Sequence, residues 1–127
     1  MAIEDVRFDA LGQLVVNLVT ANTSRALLYV EFEDGVFGLS LFHEDDGKLY
    51  YVSGLGDLTD ELIRLANAFG SEVRAMEFEL VGERFSTRLI YRDKFDADAD
   101  QATREDAVQM RYFGRTTTET LGPDPFA

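Results

Sequence analysis

Apolar and polar positions recur along this chain with two different periods, and the switches between them mark out its elements. Over residues 3–21, Ile3, Val6, Ala10, Leu11, Leu14, Val15, Leu18 and Val19 recur at spacings of three and four, which predicts an amphipathic helix. Gly12 costs such a helix about 1 kcal/mol relative to Ala. Ala21-Asn22-Thr23-Ser24 reads as the loop that ends it. Two strands, 25–33 and 36–44, flank Asp34-Gly35, a hairpin signal because Asp and Gly tolerate the positive φ of a tight turn. That turn sets Phe32 against Phe37, Val30 against Leu39 and Leu28 against Leu41, so apolar side chains gather on one face. Asp45-Asp46-Gly47 reads as a three-residue loop into a third strand, 48–53, with His43 across from Leu49 and Phe42 across from Tyr50.

The second half repeats the theme. A helix is predicted over 58–69, with Leu58, Leu62, Leu65, Ala66 and Phe69 on one face, Asp57 or Thr59 as its cap and Gly70 as its stop. A second hairpin, 73–81 and 84–92, turns at Gly82-Glu83. Its register pairs Leu80 with Phe85, Phe78 with Thr87 and Met76 with Leu89, and on the other face sets Glu77 against Arg88. Residues 93–106 are rich in Asp and lead into a helix over 103–113 stopped by Gly114, a final strand being the alternative. The expected class is α+β: an antiparallel sheet of about five strands with helices packed on one face, in the order α-β-β-β-α-β-β-α. One domain is expected over 1–114, followed by a flexible tail over 115–127, which has no apolar period.

Charge changes the picture more than length does. The 127 residues carry 24 Asp and Glu against 12 Lys and Arg, a formal net charge of −12. A nucleic-acid backbone binder needs a basic stripe, so a nucleic-acid partner is excluded and a protein partner favoured. The chain holds no Cys and a single His, which removes thiol catalysis, disulfides, thiolate sites and poly-histidine metal sites. The acidic start, Met1-Ala2-Ile3-Glu4-Asp5, is unlike a secretory leader, and no apolar run reaches the ~20 residues that span a bilayer. The expected setting is cytoplasmic, with no membrane partner.

Candidate chemistry is sparse. Asp96, Asp98 and Asp100 open like a calcium loop, but its sixth position is Gln101 and its twelfth Ala107, where the loop needs Gly and Glu. His43 lies near a strand end, where a hydrogen-bonded or edge-exposed role outweighs that of a general base. Gly54-Leu55-Gly56 lacks the third glycine of a nucleotide loop and reads as a tight turn. No catalytic residue, metal ligand or cofactor is therefore assigned, and the protein is not expected to be an enzyme. The hairpin registers leave Tyr29, Val36, Phe42, Tyr50 and Val52 on the face opposite the main core. Such a patch needs a cover: the chain's own terminal helix, a partner, or a second copy in a homodimer.

Met76-Glu77-Phe78-Glu79-Leu80, Gly82-Glu83-Arg84-Phe85, Ile90-Tyr91-Arg92-Asp93 and the ending Met110-Arg111-Tyr112-Phe113-Gly114 resemble the YezG-like antitoxin or immunity family, over roughly residues 10–114. The resemblance implies neutralisation of a cognate bacterial toxin, often a nuclease, by direct binding, and brings no catalytic residues. An acidic inhibitor would be steered to a basic nuclease groove. The expected partner-binding residues are Asp93, Asp96, Asp98 and Asp100, with Glu44, Asp45 and Asp46; Tyr29, Phe42 and Tyr50 form the dimer or partner patch. The competing reading is a small acidic dimeric secretion chaperone that binds an extended effector segment.

Overall fold

The periodic segments fold as a sheet with helices on both sides. The computed structural model describes residues 7–19, 23–33, 35–52, 54–116 and 119–121. Helix α1 (Asp9–Leu18) leads to strands β1 (Thr23–Phe32), β2 (Val36–Asp45) and β3 (Lys48–Val52). A 3-10 turn over Leu55–Leu58 enters α2 (Thr59–Phe69), and β4 (Val73–Val81) and β5 (Arg84–Tyr91) follow. A second 3-10 turn, Arg92–Lys94, precedes α3 (Gln101–Phe113), and β6 (Glu119–Leu121) is the last described element. The strands lie in the order β5-β4-β1-β2-β3-β6. The first five pair antiparallel, whereas β6 runs parallel to β3. The expected class, element order and five-stranded antiparallel sheet are all present.

Strand alternation divides the side chains between two layers. Leu28, Val30, Leu41, Met76 and Phe78 face α1 and α2, meeting Leu11, Val15, Leu58, Leu62, Leu65 and Phe69 in an apolar core. Phe32 and Phe69 meet edge to face, with ring centroids 5.6 Å apart. Gly12 is buried there, and a Cβ on it would lie 3.4 Å from the Phe85 ring. The lack of a side chain therefore lets α1 approach the second hairpin, which offsets its helix cost. The opposite layer holds Leu27, Tyr29, Phe42, Leu49 and Ala75, covered by Val108 of α3. The helices thus occupy both faces, not one: α3 is the cover that the patch at Tyr29 and Phe42 required.

Other expectations shift with identifiable causes. The second hairpin has its expected register, with Glu77 opposite Arg88 and Leu80 opposite Phe85. The first keeps Leu28–Leu41 and Val30–Leu39 but sets Phe32 against Val36, because the strand is irregular between Glu31 and Phe32. At the β2–β3 turn Asp45 pairs with Lys48. The loop is therefore two residues, Asp46 and Gly47, with φ of 52° and 77°, the pair of positive values a tight primed turn demands. That one-residue slip reverses the faces of β3. Tyr51 rather than Tyr50 lies across from Phe42, and Tyr50 stacks on His43 at 5.3 Å. Val36 and Val52 pack into the α1/α2 layer.

No side chain caps α2; the 3-10 turn supplies its entry instead. Thr23 and Ser24 begin β1 rather than a loop, and Glu119–Leu121 is strand where a flexible tail is expected. Ile3, Val6, Ala21, Asn22 and Asp34 lie outside the described residues.

Candidate functional site

Helix α3 meets its sheet face through apolar packing around Val108 and through directional ion pairs to two buried glutamates. Residues 25, 27, 29 and 31 of β1 point to one side, and Tyr29 lies across from Glu77 of β4. Glu31 is 1% exposed and Glu77 2%. Burying a bare carboxylate is costly, so each demands a partner. Arg104 meets Glu31 bidentately: Nε donates to Oε2 at 2.7 Å and Nη2 to Oε1 at 2.8 Å. The Tyr29 hydroxyl donates to Glu31 Oε2 at 2.6 Å. Burial, reinforced by that carboxylate, pushes the Tyr29 phenol far up, so it stays a donor. Arg104 is itself raised by its bonds to Glu31. It also donates to the carbonyls of Asp96, at 3.0 Å, and Ala99, and lies 4.6 Å from the Phe95 ring centroid.

One turn pair further along, the pattern repeats. Arg111 donates to Glu77 Oε2, and the Tyr112 hydroxyl donates to Oε1 at 2.8 Å. Burial and the Glu77 carboxylate push the Tyr112 phenol up to about 12. Arg88 reaches the same carboxylate at 3.6 Å. Arg25 donates to the Tyr112 carbonyl near the helix's negative end, and pairs with Glu79 at 3.3 Å. Ser40 donates to Glu105, while Gln101 lies so close to Gly38 that an added Cβ would meet its amide at 2.4 Å. Arg104, Val108 and Arg111, spaced four and three apart, thus form an inward stripe. Helix α3 runs antiparallel to β1, with Arg104 over Glu31 and Arg25 under Tyr112.

This placement separates the expected acidic residues. Asp93, Asp96, Asp98 and Asp100 sit at the N-terminal end of α3, whereas Glu44, Asp45 and Asp46 lie by its C-terminal end, where Arg115 pairs with Glu44 at 3.2 Å. Thirteen helical residues, about 20 Å, intervene. The two groups therefore make no single face. Asp100 caps α3, accepting from Thr103 N at 2.8 Å, and the Thr103 side chain first and backbone second hold its carboxyl below the usual range. Asp96 accepts from the backbone N–H groups of Asp98 and Ala99 at 3.2 and 3.3 Å, forming a turn. Asp93, Asp98 and Asp46 are exposed. Of the aromatic patch, Tyr29 and Phe42 are buried beneath α3, and Tyr50 lies on the other face.

His43 is 0% exposed. Its Nδ1 lies 3.0 Å from Thr23 Oγ1, and Nε2 has no partner among the described residues. Burial lowers its pKa, and Asp45 opposes that only in part. A neutral, sealed imidazole is a packing element under Tyr50 rather than a base open to substrate.

Sequence reasoning missed Glu31, Arg104, Arg111 and Tyr112. Their signal was present: two strand glutamates on the face of Tyr29, and two arginines seven apart on the terminal helix with Val108 between them. Among the described residues, no helix is long and apolar enough to cross a membrane, and no cluster of His, Asp or Glu is placed to hold a metal ion. No family model matches this chain, and comparison with curated proteins finds no significant match.

Proposed function

We propose that this protein acts by binding another protein, as an immunity or antitoxin-type inhibitor of a cognate bacterial toxin with a basic surface. The observation that carries the reading is the locking of α3. Arginine pairs to the buried Glu31 and Glu77 hold the helix, and Arg104 reaches back to the carbonyls of Asp96 and Ala99. The acidic approach to α3 is thereby a pre-ordered display, with Asp93 and Asp98 outward. Pre-ordering lowers the entropy cost of association. The excess of carboxylates would steer encounter with a basic nuclease groove. The resemblance of the second hairpin and the Tyr112-Phe113-Gly114 ending to the YezG-like family points the same way.

The test is co-expression with the toxin encoded beside the gene. Growth should be rescued, and the double change Asp93→Asn with Asp98→Asn should slow association at low salt by about tenfold while leaving the fold intact. Absence of protection together with absence of a complex would end this reading.

A second reading, a secretion chaperone, is favoured by one observation. Strand β5 is outermost, and its far edge pairs with no strand among the described residues. An extended effector segment could add to such an edge. Capture of an unfolded effector peptide, with no effect on any toxin, would select it.

A further inference from the structure

Among the described residues, six arginines pair with carboxylates: Arg25 with Glu79, Arg64 with Glu61, Arg88 and Arg111 with Glu77, Arg104 with Glu31, and Arg115 with Glu44. Arg74 and Arg92 have no carboxylate partner among the described residues, although acids outnumber bases 24 to 12. Both line one cleft of about 420 Å³, framed by Phe32, Glu33 and Gly35, the end of α2 and the start of β4. Asn67 and Ser71 add polar groups to its wall. Gly35 and Gly70 also line it, each with a positive φ, 118° and 66°, that side-chain-bearing residues rarely adopt.

The two guanidiniums are oriented by neutral acceptors. Arg74 Nε donates to the Phe32 carbonyl at 2.9 Å, and its guanidinium carbon lies 4.5 Å from the Phe95 ring centroid. Arg92 donates from Nε and Nη2 to the Ser71 carbonyl at 3.2 and 2.8 Å. Carbonyls fix the planes without cancelling the charges, and guanidinium donors remain beyond those bonds. A stacked, anchored guanidinium loses little freedom on meeting a ligand, and its fork matches paired oxygens. We infer that this cleft binds an oxyanion, the carboxylate or phosphate group of a small molecule, between Arg74 and Arg92. Glu33 also lines the cleft and is exposed, so water weakens its repulsion of an anion without removing it. This inference is independent of the toxin-binding reading.

The test follows the backbone amides of Asn67, Gly70 and Ser71 by NMR. The full chain is titrated with inorganic phosphate and, separately, with succinate, at ionic strength held constant with sodium chloride. Saturable shifts are expected with at least one. Arg92→Gln, an exposed change, should weaken binding by about tenfold or more. Arg74→Gln should do the same, whereas Arg84→Gln, at the far end of the second hairpin, should not. Saturation by phosphate alone assigns a phosphate site, by succinate alone a carboxylate site, and by both a general oxyanion site. Shifts that stay linear with both anions would overturn the inference. So would saturable shifts that survive both Arg92→Gln and Arg74→Gln.

Discussion

The two faces of the sheet are held by different physics. On one, α1 and α2 bury Leu, Val, Met and Phe side chains against the strands, and contacts are interchangeable in kind. On the other, α3 brings Val108 and two arginines to two buried glutamates, and contacts are directional. An apolar layer tolerates small shifts and loses stability in proportion to volume removed. An ion-paired layer tolerates almost none, because a partner left alone keeps its burial cost. The contrast teaches that the polar face fixes position while the apolar face supplies cohesion.

The largest effect is expected from breaking the polar face on one side only. Arg104→Met leaves Glu31 buried without a counter-charge, with only the Tyr29 hydroxyl as partner, and should cost about 3–5 kcal/mol in denaturant unfolding. Amide exchange should show that loss concentrated in α3. Adding Glu31→Leu should recover part of the stability, since an apolar pair of similar volume can replace a buried ion pair, less the cost of the Tyr29 hydroxyl that loses its acceptor. If the double variant is no better than the single one, the two faces do not differ in the way described.

Leu62→Ala tests the other face. It should cost about 2–4 kcal/mol, spread across α1, α2 and the sheet rather than confined to one helix.

Much of this contrast was hidden in the sequence, for a definite reason. The apolar layer was legible because Leu62, Leu65 and Phe69 repeat with the helical period and because Met76–Leu89 and Leu80–Phe85 satisfy turn and pattern together. Glu77 was legible only as the cross-strand partner of Arg88, and Glu31, Arg104 and Arg111 drew no assignment, since pattern alone cannot tell a charge in water from one in a buried pair. The face of Tyr50 was misread because Asp45-Asp46-Gly47 admits a two- or three-residue loop, and the two registers place aromatics on opposite sides. Of the acidic candidates, Asp96 and Asp100 were legible as positions but not as local capping groups.

His43 sharpens the comparison by pH, as a titratable group on the apolar side. Its folded pKa is lowered, chiefly by burial, so as pH falls the unfolded chain takes up the proton first. Its contribution is therefore full above about pH 6.5 and declines below it, until the folded imidazole also protonates. Unfolding midpoints at about pH 7.5 and about pH 5.5 should differ in the native chain, and His43→Gln should shrink that difference. An unchanged difference would assign the decline to other groups.

The smallest effect is expected at Gly38. Gly38→Ala pushes the Gln101 amide aside, and because that amide can swing, the cost should be about 1 kcal/mol, at the low end for overpacking. Gln101→Ala in the same chain should remove the clash, which a pair of thermal melts would reveal.

Chain order gives the clamp on β1 a temporal meaning. A ribosome releases α1, the first hairpin and α2 well before α3, and the second hairpin just before it, so the strands can collapse against their first two helices while Tyr29 and Phe42 are still wet. The last helix then acts as a latch on an assembled body. A nascent chain halted before Arg104 would carry Glu31 without its counter-charge, and quality-control factors that sense exposed aromatic surface would meet that species in preference to the finished molecule.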